Sequence, residues 1–241
     1  MSVESHLDKG GGRHRSPRAG LDTGLDSRHA HNGKEINMLV LGTHGVGKTA
    51  LTVRYLTKRF IGDYNSDIEM LYSHATSIDG KHLTLHIIDT QGQRSLDDVS
   101  PSQVLWADCV IIVFAVNDKT SFDLARSMVE HVHHIRAENQ MPIGLVANKS
   151  DMIDRKQVSD TEVSRLCAEF NLFFFETAAS EARASVGDVF VTLAQQVRII
   201  FKKKEKLTRF MANPAVAAKL QIQQSFRSLA ERTWRSRTST L

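Results

Sequence analysis

The stretch GTHGVGKT, from Gly42 to Thr49, has the residue types and spacing of a loop that cradles phosphate. It fits G-x-x-x-x-G-K-[ST], in which glycines allow a tight turn and let backbone N–H groups close on phosphate oxygens. Lys48 then reaches the terminal phosphates and Thr49 offers a hydroxyl to Mg²⁺, while the N-terminus of the next helix favours negative charge. The binding set read from this loop is Gly42, Thr43, His44, Gly45, Val46, Gly47, Lys48, Thr49 and Ala50. The bland alternative is a Gly-rich strand-to-helix turn. The apolar run INMLVLG (36–42) before the loop and a helical pattern from Lys48 to Lys58 after it favour the phosphate site.

Two further motifs bear on the same ligand. In IIDTQGQ (87–93), Asp89 ends an apolar strand and can bind a metal through its water shell, and Gly92 leaves its N–H available to a terminal phosphate. In VANKSD (146–151), Asn148 can orient the loop and a base, and the Lys149 stem can lie along the base plane. The Asp151 carboxylate can accept from two adjacent donors, which guanine presents on N1 and N2 and adenine does not. Each motif alone is weak; in this order after a phosphate loop they are specific.

These residues need strands to carry them. Six strand-like runs are present: 36–42, the two arms of 71–89 around Asp79-Gly80, 109–116, 142–148 and 172–177. Asp-Gly between alternating runs is a hairpin signal. CVIIVFAV (109–116) is apolar throughout, as in a strand buried on both faces of a parallel sheet. Helical patterns intervene at 121–135, with Ser121 as the expected cap, at 160–170, and at 185–204. Alternation of this kind predicts an α/β fold, a mostly parallel six-stranded sheet with helices on both faces. Ligands of such sheets sit at the carboxyl ends of the strands, where all three motifs fall.

Taken together, the motifs resemble the small GTPases of the Ras family, over about Asn37 to Phe201, with ETAAS (176–180) in the place of the family's fifth, base-contacting motif. Within the family, the run TKRFIGDY (57–64) and a C-terminus without a lipidation motif look most like the branch that includes the Ras-related estrogen-regulated growth inhibitor. The resemblance implies a P-loop NTPase fold of the Ras-like G-domain type, GTP and GDP as ligands, Mg²⁺ as cofactor, and effector or regulator proteins as partners of a monomer. It also implies that Phe60 flanks the base, that Ala178 and Ala179 lie near its O6 edge, and that Gln93 orients the attacking water, with Lys48 as the second catalytic group. Thr49 and Asp89 are the implied metal ligands.

Function turns on the departures from the pattern. The family's switch threonine, which contacts Mg²⁺ and the terminal phosphate, maps onto Asp67, eighteen residues after Thr49 and twenty-two before Asp89. A carboxylate there must bind Mg²⁺ directly or turn away. Unit charges about 4 Å apart repel by ~1–4 kcal/mol at effective dielectrics of 80 to 20. A weakly or differently responding first switch is therefore expected, Asp67 simply pointing into solvent being the alternative. His44 stands where the family usually has a second small Gly. Phosphate binding uses backbone groups, so affinity should survive. An activating protein's arginine is worth about 10³–10⁵ in rate, and an imidazole in its path would forfeit most of that. Gln91 replaces a small Ala. Slow hydrolysis is the resulting expectation, against a nucleotide-stabilised scaffold that never cycles.

The rest of the chain sets limits. Of 241 residues, 41% are hydrophobic, enough for one sizeable core. Two cysteines, Cys109 and Cys167, both in core-like segments, argue for a reducing compartment rather than a disulfide framework. No apolar run approaches the ~18 residues of a membrane span. Residues 1–34 read as a disordered polar tail, 35–205 as the folded domain and 206–241 as a basic amphipathic tail. From Lys202 onward there are ten Lys or Arg against two Glu, within a chain of net charge +4. Val216, Leu220, Ile222, Phe226, Leu229 and Trp234 gather on one half of a helix, with Arg232 and Arg235 on the other. Such a helix suits an anionic membrane, a partner's groove, or a nuclear partner. Nucleic-acid binding has only Phe226 and Trp234 as stacking aromatics there. No cysteine follows Cys167, so no lipid anchor is expected, and residues 1–34 lack the apolar run of a secretory leader; the cytoplasm is the expected location, with FKKKEK (201–206) as a candidate nuclear address. His131, His133 and His134 read as a polar helix face rather than a metal site.

Overall fold

A computed structural model describes residues 34–59, 68–137, 141–178 and 185–212. Strands β1 (Glu35–Leu41), β2 (Met70–Ile78), β3 (Lys81–Asp89), β4 (Cys109–Ala115), β5 (Ile143–Asn148) and β6 (Phe173–Glu176) form one sheet in the order β2-β3-β1-β4-β5-β6. Only the β2–β3 pair is antiparallel. Asp79 and Gly80 join that pair with φ of 52° and 69°, the two left-handed conformations that a tight hairpin turn demands.

Side chains alternate across the sheet, so each strand feeds two cores. Met38, Val40, Ile111 and Val113 point to the face covered by α1 (Lys48–Thr57) and α5 (Ser185–Met211). Leu39, Leu41, Ile112 and Phe114 point to the face covered by α2 (Pro101–Trp106), α3 (Lys119–Ile135) and α4 (Asp160–Phe170). This is the two-sided layering expected of β4, in which every residue is buried. On the first face Tyr55 stacks on Phe190, ring centroids 4.2 Å apart and planes 12° from parallel.

Three local expectations need revision. The cap of α3 is Asp118, whose carboxylate accepts from the Ser121 amide at 3.1 Å. Ser121 lies inside the helix, its buried hydroxyl accepting from the Ala115 amide at 3.0 Å. An Asp three residues ahead of a Ser competes well for the capping position, so the helix begins two residues earlier than expected. Helix α5 does not stop at Lys204 but runs to Met211. No Gly or Pro lies between Lys204 and Pro214, and a change in charge is not a helix breaker. The short α2 and the 3₁₀ turns Leu96–Asp98 and Ile153–Arg155 had no periodic signal at all.

Helix α5 is also tied to the hairpin. Buried Arg198 donates to the Ile78 carbonyl at 2.9 Å and to the Asp79 carboxylate at 3.3 Å, and Gln195 donates to the other Asp79 oxygen at 2.8 Å. Among the described residues no helix is long and apolar enough to cross a membrane, and both cysteines are free thiols. The 1–34 tail lies outside the described residues but for Lys34, as does everything after Ala212, including the amphipathic pattern at 216–235.

Truncating Phe190, fully buried against Tyr55, removes a large apolar volume that the stacked ring cannot refill. Phe190→Ala is expected to destabilise the fold by roughly 3–5 kcal/mol, read as a drop in the urea unfolding midpoint.

Candidate functional site

The loop 42–49 joins β1 to α1 at the carboxyl edge of the sheet. Gly47 caps α1 with φ of 96°, and a Cβ there would lie 2.3 Å from the Asn148 side-chain nitrogen, so the position admits only glycine. Lys48 is 6% exposed and folds back over the loop, donating to the carbonyls of Gly42 at 2.9 Å and Thr43 at 3.0 Å. Burial pushes its pKa down to about 8, against the pull of Asp89, which raises it. His44 and Gly45 are exposed at the loop's outer rim.

Asp89 closes β3 beside β1, paired in register with Val40. It is 1% exposed, and burial raises its carboxyl pKa, while the Thr49 hydroxyl and Lys48 oppose that rise. Its Oδ1 is buried without a hydrogen-bond partner, as is the Thr43 hydroxyl. A desolvated carboxylate oxygen left unpaired is costly unless a cation compensates it. Thr49 and Asp89 thus fit a hard divalent ion that takes oxygen ligands and keeps several waters. The third expected metal ligand, Asp67, lies outside the described residues, as do Phe60 and Ala179.

The third motif reaches the loop through Asn148. Its amide donates to the Val46 carbonyl at 2.8 Å and its oxygen accepts from the Thr177 hydroxyl at 3.0 Å. Lys149 follows in the left-handed region at φ 61°, and the Ser150 amide donates to the Thr177 carbonyl at 3.1 Å. Asp151 is exposed at the rim and Ala178 is buried next to Thr177. The carboxyl ends of β1, β3, β5 and β6 therefore bring 42–50, Asp89, 148–151 and Ala178 to one edge of the sheet.

Gln93 is placed differently from a residue that faces an attacking water. It is 4% exposed; its oxygen accepts from the Gly42 amide at 2.8 Å, and its nitrogen donates to the Thr90 hydroxyl at 2.8 Å and the Gln91 carbonyl at 2.6 Å. Gly92 lies on the loop so closely that a Cβ would come within 2.5 Å of the His44 Cα. Two positioning residues escaped the sequence reading: Thr90, whose hydroxyl donates to Val40 O at 2.6 Å, and Thr177. Both are threonines at a strand exit next to a motif residue, a pattern that could have flagged them. Of the histidines of α3, His131 is half-buried and His133 and His134 are exposed, His133 packing edge-on to Phe170.

A parallel sheet with a P-loop after its first strand, an acid after its third and an Asn-Lys-x-Asp loop after its fifth defines a guanine-nucleotide-binding type of P-loop protein. The chain belongs to the Ras family, whose model matches residues 37–199. It is 37% identical over 172 residues to the Ras-like protein family member 11A-like of Danio rerio, covering 68% of each chain. It is 39% identical over 168 residues to the Ras-like protein family member 11B of Xenopus tropicalis, and 38% to that of Homo sapiens over the same length, each covering 67% of this chain and 68% of the relative. The protein is thus a small GTP-binding signalling protein of the GTPase class.

Two outcomes test this geometry without any ligand. Asn148→Ala removes two buried hydrogen bonds that join the P-loop to the exit of β6, and is expected to cost about 1–3 kcal/mol of stability in nucleotide-free protein, read by urea unfolding. Lys48, at about 8 in the fold against 10.5 ordinarily, binds fewer protons folded than unfolded between those values. Stability of nucleotide-free protein therefore rises with pH from about 8 towards 10.5, by at most ~3 kcal/mol from this group. Unfolding midpoints across that range should climb, and Lys48→Met should flatten the climb.

Proposed function

We propose that the protein is a slow guanine-nucleotide switch that binds GTP and GDP with Mg²⁺ and has an atypical first switch. The observation that carries this reading is the convergence of Lys48 and the unpartnered Asp89 oxygen at the P-loop, with Asn148 fixing the base-reading loop to the same P-loop backbone. Thr49 and Asp89 hold the metal; the ion, when bound, neutralises charge on the terminal phosphates. Backbone amides of 44–50 and Lys48 take the phosphates, while Asp151 reads guanine, with Phe60, Ala178 and Ala179 as the other base-contacting residues that the family resemblance implies.

Slow turnover is supported by three side chains. Exposed His44 stands over the loop where an activating arginine enters. Asp67 replaces a neutral switch hydroxyl with a carboxylate, which either joins the metal or turns away. Gln93 is engaged by the Gly42 and Gln91 backbone and the Thr90 hydroxyl and is 4% exposed. That last observation also favours a second reading, a nucleotide-stabilised scaffold that does not cycle. Effectors bind with a GTP preference under the first reading and with equal affinity to both nucleotide forms under the second.

The protein acts as a monomer in the cytoplasm with access to the nucleus. The exposed end of α5, where Lys202, Lys203, Lys204, Lys206 and Arg209 flank Leu207, Phe210 and Met211, supports an anionic membrane or nuclear partner for the basic tail. The run TKRFIGDY supports a place near the estrogen-regulated growth inhibitor branch.

Pure protein should carry guanine nucleotide, prefer guanosine to adenosine di- and triphosphates with magnesium, and lose roughly 10²-fold or more of guanine affinity in Asp151→Ala. Single-turnover GTP hydrolysis should run below about 10⁻⁴ per second. An absence of base preference refutes guanine binding, and a faster rate refutes the impaired switch.

A further inference from the structure

The segment 89–93 lies shut against the end of β1 and the P-loop, tied by the Thr90 hydroxyl at Val40 and by Gln93 at Gly42. Gln93 meets Gly42 from two directions: its backbone amide donates to Gly42 O at 3.2 Å, and its side-chain oxygen accepts from Gly42 N at 2.8 Å. The side-chain nitrogen uses both protons, one on the Thr90 hydroxyl and one on Gln91 O. Thr90 in turn donates to Val40 O. A closed ring of hydrogen bonds thus joins the exit of β1, at Val40 and Gly42, to the exit of β3, at Thr90 to Gln93. The backbone follows suit, with a parallel bridge between Thr43 and Gln93. Inside the ring, Gly92 sits flush on His44: a Cβ on Gly92 would be 2.5 Å from the His44 Cα and 2.6 Å from its N.

A terminal phosphate held by both the P-loop and the Gly92 amide has to lie between them. In the closed arrangement Gly92 and the His44 backbone are already in close contact, so a phosphoryl group admitted between them has to part them. A diphosphate leaves this contact alone, whereas a triphosphate must lift Gly92 and, with it, the adjacent Gln93. We propose that Gln93 is a latch that closes residues 89–93 over the P-loop and sets the preference for GDP over GTP, acting as a positioning residue in the closed state. The proposal rests on the guanine-nucleotide reading above. It makes the glutamine a determinant of which nucleotide is held, in addition to any part it plays once the loop has opened.

The latch predicts a change in affinity ratio that a purely water-orienting glutamine does not. Fluorescent GDP and a non-hydrolysable GTP analogue are titrated against wild type, Gln93→Met, which keeps the volume without the amide, and Gln93→Asn, too short to span from the loop to Gly42. Wild type is expected to favour GDP, and both variants to move the GDP-to-analogue ratio about tenfold towards the analogue. The second readout is hydrogen exchange of the Gly42 amide: slow in the GDP form, and about tenfold or more faster in the analogue form and in either variant. A ratio within about twofold of wild type in a folded variant, or a Gly42 amide equally protected in all forms, overturns the latch. Failure of wild type to bind either nucleotide overturns the guanine reading instead. The latch is then decided by Gly42 exchange in nucleotide-free wild type against Gln93→Met, where equal protection refutes it.

Discussion

The site depends on how one short stretch of backbone is held. Residues 42–49 must present their N–H groups inward, and of the loop's own side chains Lys48 ties the backbone, at Gly42 and Thr43. Two primary amides supply the constraint from outside: Gln93 grips Gly42 at the loop's start, and Asn148 grips Val46 near its end. Both amides satisfy donor and acceptor needs at once, which suits a buried place where an unmade hydrogen bond is expensive. Each is seated in turn by a threonine hydroxyl, Thr90 or Thr177. The sheet's contribution is to bring the exits of β1, β3, β5 and β6 to one edge so that these four side chains can meet.

The charged groups follow from that arrangement. Once the loop is fixed, Lys48 lies across it on the Gly42 and Thr43 carbonyls, where burial weakens its hold on a proton and Asp89 partly compensates. Asp89 is forced into the same dry corner, and one of its oxygens remains unpaired. The fold thus keeps an acid and a base side by side with incomplete mutual satisfaction. Such an arrangement is inefficient for stability and well suited to a ligand that carries both phosphate and metal.

Much of this was legible in the amino-acid order. Lys48, Asp89, Asn148 and Asp151 announce themselves because their chemistry depends on local spacing after an apolar strand, and the two-faced core is written in the unbroken run of β4. The β2–β3 turn is equally local, since Asp79-Gly80 supplies both left-handed residues. What escaped depends on direction rather than position. Whether Gln93 faces the cleft or the P-loop is set by the path of 90–92 and by the Thr90 hydroxyl, neither of which a motif records. The start of α3 was misplaced because Asp118 and Ser121 are both good caps and only the backbone decides between them. The end of α5 was misplaced because a run of lysines changes solvation without stopping a helix.

That last helix has a geometric result. Arg198 rivets α5 to the hairpin, yet the helix continues thirteen residues beyond it, about 20 Å at 1.5 Å per residue, with every side chain from Lys202 to Met211 in solvent. It is a mast standing clear of the hull. Whatever is fastened at Met211 starts beyond the touch of the sheet, so cargo at the masthead and nucleotide in the hold do not jostle one another for space.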